Sequence, residues 1–230
     1  GVLVGFSIIV LNIIAIYYFR KETKLLVSAI LSLILVGGNG GLGAIVVSSI
    51  LNPFLVSLHM ILALMLVSVL SYACIESYKL INIEKFKDLE INRALSKSLI
   101  VFWILIIVEI LLGTGIRTNL ELVSIENPLL SKGELLNALD SYKYFHSFLG
   151  FTLLFLSTYI YSKLRTNKLY IARFLGIFIL GMIIVQIFLG EMMIFFELPQ
   201  LTRLFHTWGS SWLVGVVIIL YNCISNEYAK

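Results

Sequence analysis

Seven apolar stretches, each roughly twenty residues long, alternate with short polar connections along this chain, at about 1–19, 25–48, 54–78, 98–117, 142–162, 170–196 and 204–223. At about 1.5 Å of rise per residue, a helix of that length covers the roughly 30 Å of hydrocarbon in a bilayer. A helix is the element to expect, because a segment in lipid has no water for its N–H and C=O groups and must satisfy them internally. The pattern therefore predicts an all-α polytopic membrane protein with seven transmembrane helices.

Composition agrees with this reading. Hydrophobic residues make up 60% of the chain and charged residues 13%, against about 25% charged in ordinary globular domains. Charge adds an orientation. Of the 17 Lys and Arg residues, all but Arg117, Lys132, Lys143 and Arg203 gather at one set of span ends. The positive-inside rule makes that side cytoplasmic, with residue 1 outside and Lys230 inside. The net charge of +4 thus reflects topology, and no nucleic-acid partner is implied. Two connections are longer than the others: an inner one at 79–97, mixed in charge and compatible with a surface helix, and an outer one at about 118–141 holding Pro128 and four acidic residues. Cys74 and Cys223 both fall near cytoplasmic helix ends, where thiols stay reduced, so both are read as packing residues outside any disulfide.

Polar marks inside these spans repeat. Asn39-Gly40-Gly41-Leu42-Gly43 leads to His59, and Gln186-Ile187-Phe188-Leu189-Gly190 leads to His206, with every offset the same. Glu109-Ile110-Leu111-Leu112-Gly113 repeats the front half between them. Ionisable groups at membrane depth are costly and rare, so a histidine set twice at one depth marks a functional site, and neutral imidazole suits iron. His146 lies on a span running the same way as that of His206, which lets both rings reach one iron from opposite faces. Gly113, Gly150 and Gly190 remove side chains where helices or a flat ligand would collide. Arg117, Lys143 and Arg203 stand beside the same region at the outer edge.

Span 142–162, which opens on His146-Ser147-Phe148-Leu149-Gly150, resembles span 1–19 if Gly150 matches Gly1. The chain also begins without Met and is apolar from its first residue. The expectation is a duplicated four-helix unit: residues 1–78 form an amino-terminal bundle that lacks its first helix, 79–97 a cytoplasmic connection, and 98–230 a complete carboxy-terminal bundle.

These residues, in order, resemble the heme A synthase family, whose members oxidise a methyl group of heme O to the formyl group of heme A for cytochrome oxidase. The matching pieces are Leu42-Gly43-Ala44 with Ser57-Leu58-His59-Met60, Leu112-Gly113-Thr114-Gly115-Ile116-Arg117, Tyr144-Phe145-His146, Gln186 with Leu189-Gly190, and Leu204-Phe205-His206. The resemblance implies that His146 and His206 ligate a heme b and that His59 belongs to the site of the substrate, heme O. It implies a further histidine and a catalytic glutamate upstream of Gly1. It also implies a plasma (inner) membrane location with the carboxy terminus cytoplasmic, lipid around the helices and an electron donor that the sequence does not identify. Delivery of heme O by heme O synthase and self-association into a homo-oligomer stay open. Outer-loop cysteines found in many members are absent from 118–141.

Each of these residues also has a plainer reading. A membrane histidine such as His59 could simply hydrogen-bond a neighbouring helix, the glycines could be small-residue helix contacts, and Arg117, Lys143 and Arg203 could snorkel to headgroups. Glu109 and Glu191 need a partner or a proton if buried, and interhelical hydrogen bonding would provide one. Trp103, Trp208 and Trp212 suit either interfaces or a heme wall. Two other functions remain open: a b-type cytochrome that relays electrons through His146 and His206, and, less in keeping with a parallel repeat, a small-solute transporter.

Overall fold

The computed structural model describes residues 1–49, 52–86, 93–137 and 141–225. Among them lie eight α-helices: α1 (Val2–Tyr18), α2 (Thr23–Ser48), α3 (Pro53–Ile81), α4 (Arg93–Glu126), α5 (Lys132–Asn137), α6 (Tyr142–Leu164), α7 (Tyr170–Phe195) and α8 (Gln200–Ile224). A helix occupies each of the seven expected segments, and α2, α3, α4, α7 and α8 are long and apolar enough to cross a membrane by length and composition. The 17-residue α1 is apolar but shorter. At 23 residues α6 has the length, with tyrosines, Lys143 and Lys163 interleaved among its apolar positions. The protein is an all-α polytopic membrane protein.

Two compact units are present. One comprises Gly1–Ser96 with Val214–Lys230, the other Lys97–Leu213. In the first, α1 packs on α2 and α2 on α3. Buried Ser28, Ser32 and Ser68 return their hydroxyls to carbonyls of their own helices, which hides the polar atom and leaves a small residue at the contact. Asn52 caps α3, its Oδ1 accepting from the N–H groups of Phe54 and Leu55 at 3.0 and 3.4 Å, with Pro53 at the first helical position; this fixes where α3 begins. In the second unit α6 and α7 pack closely, and a Cβ on Gly176 would come within 2.9 Å of Leu164 Cδ1. Outward faces of both units are apolar, from Leu3 and Ile13 to Phe155 and Phe188, as lipid requires.

Two segments differ from expectation. The outer connection does not begin at residue 118, because α4 continues to Glu126. Thr118 Oγ1 donates to Thr114 O, and Arg117 pairs with Glu121 one turn on, so a polar sequence remains helical until Pro128 approaches. The inner connection is no free surface helix at its start: α3 reaches Ile81, a 3-10 turn spans Ile83–Lys85, and Phe86 is buried. Residues 87–92 lie outside the described residues. Lys79, expected at the water edge, is also buried. Its Nζ lies 3.1 Å from Glu76 Oε1 and 3.2 Å from Asn222 Oδ1 of α8, while Lys24 of α2 approaches Glu76 Oε2 at 3.6 Å.

Between α7 and α8 the chain turns on Glu197 and Leu198, both with positive φ, 53° and 62°. Leu198 N–H closes back on Met193 O at 2.8 Å, a left-handed helix stop built without glycine. In the outer connection, Ser131 and Glu134 form a reciprocal cap at the start of α5. These hydrogen bonds from Ser131 hold the Glu134 carboxyl below the usual carboxylate range.

Candidate functional site

Each of the three histidines lies in the second turn of its helix: His59 on α3, His146 on α6 and His206 on α8. Each ring rests against the glycine of a Leu-Gly mark. A Cβ on Gly43 would stand 3.2 Å from His59 Cε1, one on Gly113 3.3 Å from His146 Cε1, and one on Gly190 3.9 Å from His206 Cε1. The repeat is therefore a physical joint, used three times, in which a helix gives up a side chain where the Cε1 edge of an imidazole approaches its backbone.

The repeat already marked the polar residue of each joint, and a further part lies one turn past each histidine. Four residues after each histidine stands a small residue, Ala63, Gly150 or Ser210, and four residues before each glycine stands a polar one, Asn39, Glu109 or Gln186. Four residues is one helical turn, so each polar group shares a face with its glycine. In the second unit the small residue receives the polar group. A Cβ on Gly150 would touch Glu109 Oε1 at 3.4 Å, Ser210 Oγ donates to Gln186 Oε1 at 3.1 Å, and a Cβ on the adjacent Gly209 would overlap Gln186 Nε2.

Within that unit the structure brings His146 and His206 together, with ring centres 6.3 Å apart. Two metal–imidazole bonds of about 2 Å, with about 1 Å from each nitrogen to its ring centre, span roughly the same distance. Among the described residues no group of three or more His, Cys, Asp or Glu side chains is gathered as a metal cage. Two facing imidazoles suit an iron whose remaining positions are filled by a macrocycle. Nδ1 of His59, His146 and His206 is buried without a hydrogen bond. Leaving such an atom unsatisfied costs about 1–3 kcal/mol, and at His146 an acceptor, Glu109 Oε1, stands 3.2 Å away. The residues present fit a bis-histidine heme.

A family model described as cytochrome oxidase assembly protein matches residues 1–218. The chain belongs to the heme A synthase family. No curated protein and no solved structure gives a match. Membership of this family makes the protein an oxidoreductase of heme A synthesis in cytochrome oxidase assembly, with heme O as the family's substrate and a heme among its cofactors.

Other residues singled out from the sequence fall as follows. Arg117 is exposed and paired with Glu121 at 3.0 Å, Arg203 is exposed, and Lys143 lies over the Tyr144 ring at 5.3 Å. Glu109, half-buried, has Oε1 3.2 Å from His146 Nδ1, at contact distance though not aligned as a hydrogen bond. Glu191 is exposed and needs no buried partner. Trp208 and Trp212 are exposed, whereas Trp103 Nε1 is buried without a hydrogen bond. Both cysteines are free. The small residues four positions after each histidine went unread in the sequence as parts of one joint; the signal lay in extending the repeat of polar, Leu-Gly and histidine marks by one helical turn.

Proposed function

We propose that this heme A synthase family member oxidises a methyl group of heme O to the formyl group of heme A, using a resident heme b that His146 and His206 would hold. The 6.3 Å separation of those two rings is the observation that carries the reading. In this proposal residues 1–78 form the substrate side and 98–230 the heme b side. Bound heme b supplies a one-electron redox site. The chain's own residues do the rest. Gly113 and Gly190 let the rings seat against helix backbone. Arg117, Lys143 and Arg203 offer cations to heme propionates, and the exposed Arg117–Glu121 pair, worth about 0–1 kcal/mol, gives way readily to them. His59, held against Gly43 by the same joint, binds and orients the substrate heme, and apolar helix faces exclude water from it. The asymmetry of basic residues supports a plasma-membrane topology with a cytoplasmic carboxy terminus.

The test is spectroscopic. Purified protein should show a low-spin b-type spectrum that His146→Ala and His206→Ala each remove, while Gly190→Ala keeps it. Unchanged spectra in both histidine variants would overturn the ligand assignment. Pigment extracted from cells lacking their own synthase, with and without this protein, checks heme A formation.

A further inference from the structure

The three joints are alike in shape but differ in the polar group that each one carries. Asn39 serves the first, Glu109 the second and Gln186 the third. In the third, the Gln186 amide is engaged by Ser210, and Nδ1 of His206 has no hydrogen bond. In the second, the carboxylate faces the ring itself: Glu109 Oε1 is 3.2 Å from His146 Nδ1, with the two side chains 16% and 23% exposed. Two glycines make this approach possible. Gly113 clears space for the imidazole one turn from Glu109, and Gly150 clears space for the carboxylate one turn from His146. The helices α4 and α6 thus exchange side chains across a pair of glycines, each polar group lying on the other helix's gap. Glu109 Oε2 is buried and also lacks a hydrogen bond, so the carboxylate is held there by no stronger partner.

We propose that Glu109 is a positioning residue for His146: its carboxylate accepts a hydrogen bond from Nδ1–H, fixes the tautomer and leaves Nε2 to the iron, so that the two axial histidines are chemically unequal. The inference rests on heme b ligation by His146 and His206. A carboxylate on the distal nitrogen strengthens the imidazole as a donor and favours ferric iron. At 3.2 Å the two atoms are within hydrogen-bond distance of each other. His206 has the backbone carbonyl of Gln186 beside it in place of a carboxylate.

Heme-loaded wild type, Glu109→Gln, Glu109→Leu and Gln186→Leu are compared by redox titration and by electron paramagnetic resonance of the ferric protein. Glu109→Gln should shift the ferrous-to-ferric ratio at a fixed potential about tenfold toward ferrous, an upward midpoint shift of about 59 mV for one electron. Glu109→Leu should shift it as far and broaden the low-spin signal as the ring loses its orientation. Gln186→Leu, which alters the other joint without removing a carboxylate, should move the ferrous-to-ferric ratio at that potential less than Glu109→Gln does. Retained heme with wild-type midpoint and signal in Glu109→Gln overturns the inference, and that variant, isosteric with the native residue, decides the matter even if the leucine variant fails to fold. A wild-type protein without a bis-histidine spectrum would instead overturn the ligation on which the inference rests.

Discussion

His146 and His206 show how much a single position can reveal before any coordinates exist. Their depth, pairing and chemical type were legible because a polar group in an apolar helix stands out against its neighbours. What each ring rests on was not legible, since a glycine reads the same whether it faces lipid, another helix or an imidazole. The three contact distances now separate those cases. A methyl group added at Gly113 would lie 3.3 Å from His146 Cε1, close enough that the ring must move, whereas one at Gly190 would lie an ordinary 3.9 Å from His206. Gly113→Ala should therefore weaken heme b retention by roughly 1–2 kcal/mol, about five- to thirtyfold in affinity, while Gly190→Ala binds nearly as wild type. Heme content after graded detergent washing measures both. Equal retention in the two variants would mean that the glycines are plain helix contacts.

At the scale of elements, hydrophobic periodicity located each of the seven long helices, because in lipid the backbone leaves the chain no other regular choice. The ends were harder. The polar run after Arg117 looked like a loop and is helix, since exposed polar side chains do not break a helix and only Pro128 does. Lys79 looked like an interfacial anchor and is buried between Glu76 and Asn222, because the ends of α3 and α8 meet there. No single-helix pattern encodes such a meeting. Truncating Lys79 leaves the buried Glu76 carboxylate with only the longer, 3.6 Å contact to Lys24, so Lys79→Ala should lower stability by about 3 kcal/mol, read as a depressed unfolding midpoint in detergent. Replacing both partners at once, with Glu76→Leu and Lys79→Met, should cost less than the single change. The cap at Ser131 and Glu134 has a pH signature of its own. A carboxyl whose folded value is depressed contributes above its unfolded value and loses that contribution as pH falls through the lowered one. Hydrogen exchange at α5 amides should accordingly become less protected below about pH 4 than mutation-free exchange kinetics predict, and Ser131→Ala should remove this dependence.

For the molecule as a whole, family membership and all-helical architecture were both within reach of the sequence, because a duplicated pattern of marks across 147 residues constrains far more than any one motif. The compact units divide one helix, α8, which contributes its start to one and its end, from Val214, to the other. The consequence for function lies in where the histidines fall. His59 and its glycine belong to the unit of Gly1–Ser96 with Val214–Lys230, and the His146 and His206 pair belongs to Lys97–Leu213. If the shared joint serves two different hemes, their chemistry is separable by mutation. His59→Ala, expressed in cells lacking their own heme A synthase, should abolish heme A formation and leave the b-type spectrum intact, because the joint of His59 is made with Gly43 and those of the heme b pair with Gly113 and Gly190. His206→Ala should remove the spectrum itself. Extraction of heme A and a reduced-minus-oxidised spectrum on the same membranes read both outcomes at once. Loss of heme b in His59→Ala, with normal protein levels, would mean that one heme depends on all three histidines, and the assignment of His59 to the substrate would fall.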